Sequence, residues 1–176
     1  MTAQSMKRAV VVEPMRIEIE EVPVPTPAEG QVLIETGACG LCMTDVYRIT
    51  GKDPMTQYPC DLIGHEPSGF IAAVGKNATR FRPGDRVTSL HALGGFTAFG
   101  EYFLQQEDRV FPLPEQIPFE IGTCEPLFAA ARGVLNADIL PGDLVAVVGV
   151  GFFGQLLAQG ARFRGAYKVA ALDKID

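Results

Sequence analysis

The sequence predicts a mixed α/β chain in two parts: a small, irregular β-barrel over residues 1–125, then a linking helix and the opening β-α-β unit of a parallel sheet over residues 126–176. Three observations point there. Short β-like runs broken by Gly and Pro fill the first part, and such dense punctuation suits a small barrel better than a helical bundle. Beyond Pro118 the composition turns to Ala, Leu and Phe at helical spacing. Two apolar runs flanking a helical pattern follow, and parallel strands need such a crossover.

Residues 8–13, 15–20, 31–37, 69–74 and 86–89 read as strands, and 101–104 and 109–111 as two shorter ones. Turn signals separate them: Val22-Pro-Val-Pro-Thr-Pro27, an extended connector, then Ala28-Glu-Gly30, Gly75-Lys-Asn77 and Arg82-Pro-Gly-Asp85. Residues 118–136 are expected to be helical. After a turn at Pro141-Gly-Asp143, residues 144–148 read as a strand buried on both faces, 152–164 as a helix and 168–172 as a second buried strand. Only Asp173-Lys-Ile-Asp176 follows. A dinucleotide-binding sheet uses two such halves, so the sequence is expected to be the front half of a longer fold.

Composition narrows the classes. The net charge is −6 and no basic stripe is present, which excludes an ordinary nucleic-acid binder. No apolar run approaches the roughly 18 residues of a membrane span. Behind Lys7 and Arg8 the apolar stretch ends at Val12, short of the about 7–15 residues of a signal sequence. No membrane partner and a cytoplasmic location are expected. Four cysteines without an export signal argue for metal binding, catalysis or packing rather than disulfides.

Gly149-Val-Gly-Phe-Phe-Gly154 fits G-x-G-x-x-G between a predicted strand and a predicted helix. Gly149 would make the tight turn, Gly151 would admit a pyrophosphate to the backbone, and Gly154 would let helix and strand pack closely. Phe152 and Phe153 open the helix whose N-terminus would face the phosphates. Asp173 lies 19 residues beyond Gly154, where an acid would bond the ribose hydroxyls. A carboxylate there repels a 2′-phosphate, so NAD is expected over NADP.

Cys42, in Cys39-Gly-Leu-Cys-Met-Thr-Asp45, His65, in Gly64-His-Glu66, and Glu125, in Cys124-Glu-Pro-Leu127, offer a thiolate, an imidazole and a carboxylate. A catalytic zinc takes three such ligands and keeps one position open.

These segments, with Pro83-Gly-Asp-Arg-Val87 and Gly100-Glu-Tyr102 in the same order, resemble the zinc-containing medium-chain dehydrogenase/reductase superfamily of alcohol, sorbitol and threonine dehydrogenase type. The resemblance runs from about Lys7 to Asp176. It implies a GroES-like catalytic domain followed by a Rossmann coenzyme domain, one catalytic Zn2+, NAD, and a small alcohol or polyol substrate. It also implies a homo-oligomer for full-length members. By it, Cys42 and His65 match zinc ligands and Cys39 does not. Glu66 matches an acid that can approach the metal. Glu125 matches the third ligand, directly or through water, with Cys124 as a rival. Asp45 matches the acid that orients His65, and Thr44 the hydroxyl that takes the alcohol's proton. Tyr47 stands where the family often ends its proton relay with His.

The sequence departs from the family in having no four-cysteine lobe after Val87, so no structural zinc is expected. His91 is read as structural or surface, and Cys60 as a buried small hydrophobe. Two other readings compete: a zinc-free quinone-type reductase of the same superfamily, and a truncated, inactive fragment or GroES-like binding module.

Overall fold

Val32, Leu33 and Ile34 are consecutive and all buried, although successive side chains of a strand point to opposite faces. The strand that carries them therefore runs through a core covered on both sides. The computed structural model describes residues 5–90, 98–123 and 125–174. Its contacts divide the chain into two compact units, Met1–Glu125 and Pro126–Asp176.

In the first unit β1 (Ser5–Glu13) and β2 (Arg16–Pro23) form an antiparallel ribbon. Five strands, β3 (Gln31–Gly40), β4 (Glu66–Val74), β5 (Arg86–Ser89), β6 (Tyr102–Gln106) and β7 (Val110–Pro112), form an antiparallel sheet in the order β6-β3-β4-β5-β7. Bridges from Arg8 to Gly100 and from Val11 to Cys60 tie the ribbon to the segments beside it. Among the described residues the pairings make an open sheet with an attached ribbon, not a closed ring. Val32, Ile34, Ile71, Val87, Phe103 and Val110 form the main core, and Val11, Cys60 and Ile63 a second cluster beneath β1.

A short helix, α1 (Met43–Ile49), follows β3 directly. It was absent from the expected elements because seven residues are too few to show a helical period. Its local signal is a capping box, with Cys42 at the N-cap and Asp45 three residues on.

Beyond Thr123 come α2 (Glu125–Asn136), β8 (Leu144–Val148), α3 (Phe152–Phe163) and β9 (Lys168–Leu172). β8 and β9 pair in parallel, Leu144 with Lys168 through Val148 with Leu172. Val134, Ile139, Ala161 and Ala166 form the core of this unit. Two expectations are corrected here. The helix expected over 118–136 starts only at Glu125, because Pro118 closes a single turn, accepting bonds from the N–H groups of Ile121 and Gly122. The strands are not buried on both faces: Leu144 and Val148 are 74% and 82% exposed. Burial on both faces needs flanking strands and two helical layers, and this sheet has two strands. Among the described residues no helix is long and apolar enough to cross a membrane.

Candidate metal centre

The centre lies where β3 and β4 end together. Their register pairs Cys39 with Pro67 and Gly40 with Glu66. The turn into α1 and the loop into β4 therefore leave the sheet side by side. Ligand atoms of Cys42, His65 and Glu66 converge there, all within 4.8 Å of one another. A Cβ at residue 40 would overlap Glu66 Oε2, so glycine at that position makes room for the carboxylate.

Asp45 holds the cluster together. It is wholly buried. Oδ2 accepts the Cys42 N–H at 2.9 Å, Oδ1 accepts the Gly64 N–H at 2.9 Å, and Oδ1 stands 3.3 Å from His65 Nδ1. One carboxylate thus caps α1, fixes the backbone of one candidate ligand and orients the ring of another, the support a ligating His ordinarily has. With Nδ1 turned to Asp45, Nε2 is the ring nitrogen left for a metal. Burial alone would raise the Asp45 pKa, but the bonds from His65, Gly64 and Cys42 outweigh it and hold it below the usual value. The bond to Asp45 pushes His65 the other way, up to about 9, against the opposing effect of burial.

Burial also raises Glu66, and the negative charges of Glu125 and Asp45 add to the rise, while His65 and Cys42 oppose it. Glu125 is thus close enough for its charge to be felt, but it lies outside the group that converges within 4.8 Å. Thr44 follows on α1, with its Oγ1 3.8 Å from Cys42 Sγ. Tyr47 is also on α1 and is 46% exposed; no hydrogen bond of its hydroxyl is found among the described residues. Cys39 is partly buried in β3, and desolvation pushes its thiol up to about 12. Cys60 is buried. Cys124 and His91 lie outside the described residues.

Two carboxylates, Asp45 and Glu66, and a thiol therefore lie around a single imidazole. Buried negative charge is costly unless a cation compensates it, and thiolate, imidazole and carboxylate are the donors zinc takes. On donor chemistry and on the space left at Gly40, the residues fit a zinc ion.

The second unit carries the glycine-rich loop. Gly149 has φ +86° and donates its N–H to Leu172 O at 2.8 Å. Val150 donates to Asp173 Oδ2 at 2.6 Å, so the acid at the end of β9 clasps the loop itself. A Cβ at Gly154 would overlap the Gly149 carbonyl oxygen, whereas one at Gly151 would meet nothing within 4 Å. Glycine at 154 is thus required by the chain's own packing; at 151 it leaves open space at the N-cap of α3. Phe152 and Phe153 in the first turn are 71% and 44% exposed. Val148, Gly149, Leu172, Asp173 and Lys174 line a depression beside the loop.

Residues 28–115 match the alcohol dehydrogenase GroES-like domain. The chain is 33% identical to an alcohol dehydrogenase of Moraxella sp. (strain TAE123), over 97% of this chain and 59% of that protein. It is 33% identical to a quinone oxidoreductase of Sus scrofa, over 87% of this chain and 47% of that protein. Among solved structures it is similar to 2R,3R-butanediol dehydrogenase from Bacillus subtilis, with 27% identity and a TM-score of 0.77 over 95% of this chain and 57% of that one. It is also similar to a Sinorhizobium meliloti 1021 protein assigned as a zinc-binding dehydrogenase and solved bound to NADP, with 28% identity and a TM-score of 0.79 over 96% of this chain and 56% of that one. The chain thus spans about half the length of the curated relatives it matches. With half of its residues inside that domain, and with such relatives along nearly its whole length, the chain belongs to the medium-chain dehydrogenase/reductase superfamily of zinc-binding dehydrogenases.

Proposed function

We propose that the chain supplies the zinc site and the start of the coenzyme site of an oxidoreductase that moves a hydride from a secondary alcohol or polyol to NAD. The observation that carries this reading is the convergence of Cys42, His65 and Glu66 within 4.8 Å beside the buried Asp45. Cys42 and His65 would hold the metal, with Glu66 or Glu125 as the carboxylate ligand. Bound there, zinc would supply Lewis acidity to the alcohol oxygen and lower its pKa.

The chain's own residues then have distinct tasks. Asp45 keeps the His65 ring oriented through Nδ1. Thr44, beside Cys42, takes the alcohol's proton and passes it outward by way of Tyr47 or water. Gly151 and the N-terminus of α3 would receive the pyrophosphate of the coenzyme, and Asp173 its ribose. An acid at that point supports NAD over NADP, although the Sinorhizobium relative is bound to NADP.

The Sus scrofa relative supports a second reading, a quinone-type reductase of the same superfamily that needs no zinc. The two are separated by measuring zinc per polypeptide after purification without chelator, with Cys42→Ser as control. About one zinc per chain, lost in the variant, is the expected result for a catalytic site without a structural one. A folded, monodisperse parent without zinc would sink the zinc-dependent reading.

A further inference from the structure

Arg86 is half-buried, with a buried Nε that has no hydrogen-bond partner, and its guanidinium meets no carboxylate among the described residues. It lies over the Phe119 ring instead, 4.0 Å from the centroid, and donates to Ile117 O at 2.6 Å. The same phenylalanine is gripped from two more directions. Phe70 meets its ring edge-on at 4.8 Å, and the Ser68 hydroxyl donates to Phe119 O at 2.7 Å. A Cβ at Gly37 would overlap the ring, so glycine in β3 forms the floor of its seat.

These grips converge on the segment that leads to Glu125. Ile121 and Gly122 bond back to Pro118 O, and the Thr123 hydroxyl bonds back to Glu120 O, which makes a tight turn over residues 118–123. Glu66, Ser68 and Phe70 alternate along one face of β4. One strand thus presents a member of the metal cluster and two of the groups that seat Phe119.

We infer that Arg86 and Phe119 are positioning residues for Glu125: their contact anchors residues 117–123 to the sheet and so sets the place of the Glu125 carboxylate relative to Cys42, His65 and Glu66. The inference rests on the zinc reading above. It goes further by making the third carboxylate's position depend on a contact remote from the metal.

The test is a double-variant cycle on the 176-residue chain, with zinc affinity measured by competition against a chromophoric chelator and ligand-field spectra recorded with cobalt(II). Phe119→Ala should weaken zinc by about 10–100-fold, the usual effect of removing a group that orients a ligand, and Glu125→Ala, which removes the carboxylate itself, by at least as much. The double variant should bind no more weakly than Glu125→Ala alone, and both single variants should shift the cobalt bands in the same direction. Arg86→Lys, which keeps a cation at the ring but loses the planar fork that reaches Ile117 O, should show a smaller loss that also vanishes in the Glu125→Ala background. If Phe119→Ala fails to melt cooperatively, Phe119→Leu and Arg86→Lys carry the cycle. Additive losses, or parental affinity in Phe119→Ala, would overturn the inference. Parental affinity in Glu125→Ala would overturn it while leaving the zinc site intact. A parent that binds no zinc overturns both readings.

Discussion

Asp45 in the first unit and Asp173 in the second perform the same local task, each accepting a backbone N–H from a loop beside a candidate site. Their surroundings differ. Asp45 is wholly buried, and both its oxygens are committed to Cys42, Gly64 and His65. Asp173 is exposed at the end of β9, with its oxygens on the N–H groups of Val150 and Lys174. A buried carboxylate must be satisfied by the protein around it, and so it locks two segments, the turn into α1 and the loop before β4, into one geometry. An exposed one clasps its loop in water and can still accept a bond from an incoming hydroxyl. The candidate metal centre is built from side chains braced from behind; the glycine loop is built from backbone and left open.

The largest expected effect follows from that contrast. Asp45→Ala should cost the first unit about 3–5 kcal/mol, because it removes one partner of a buried pair and leaves the His65 ring and the N–H groups of Cys42 and Gly64 without their acceptor. Urea unfolding measures it, and a loss below about 1 kcal/mol would break the contrast. Next, Ile34→Ala in the centre of β3 should cost about 2–5 kcal/mol as a cavity in a packed core. A melt of the variant, followed by circular dichroism, reads that cost.

A smaller effect separates the two cysteines of the Cys39-Gly-Leu-Cys42 segment. Cys39, pushed up to about 12, is almost entirely thiol at neutral pH. Its alkylation, followed by mass spectrometry of its peptide, should be slow and should quicken about tenfold per pH unit, since only the thiolate reacts. A rate that levels off near pH 9 would contradict the desolvated setting. The smallest effects belong to the second unit. Asp173→Ala and Val148→Ala, both at exposed positions, should change stability by no more than about 0.5 kcal/mol. Asp173→Ala should nonetheless weaken NAD binding in titration calorimetry of the parent and variant. A large stability loss at Asp173 would show that its clasp on Val150 is structural first.

Much of this was legible in the chain. The loop at Gly149–Gly154 is readable because strand, turn, helix and strand follow one another within about thirty residues, as one βαβ unit does. The bounds of β5, β8 and β9 coincide with those read from the sequence, β5 as a β-like run after a turn signal and β8 and β9 as buried strands flanking a helical pattern. Cys42 and His65 could be named from the donors they offer in short motifs, whereas Glu66 and Asp45 were named through the family resemblance of those motifs. Other features have no local mark. α1 is too short to show a period. The start of α2 at Glu125 instead of 118 reflects a phenylalanine held by Ser68, Phe70 and Arg86, residues 33–51 positions away in sequence. The exposure of Leu144 and Val148 depends on how many strands share the sheet.

By itself the sequence determined which chemical groups are present and in what local settings: a thiol, an imidazole and acids in short motifs, and glycines where the backbone must turn or leave room. Tertiary structure alone decided which of them meet. Gly40 faces Glu66 only through the antiparallel register of β3 and β4, which is shifted at Leu33/Ile34 and again at Thr36/Ala38. Each one-residue slip in a strand turns its side chains to the other face. The convergence of Cys42, His65 and Glu66 is therefore a property of that pairing, made between residues more than twenty positions apart, which no local pattern of residues encodes.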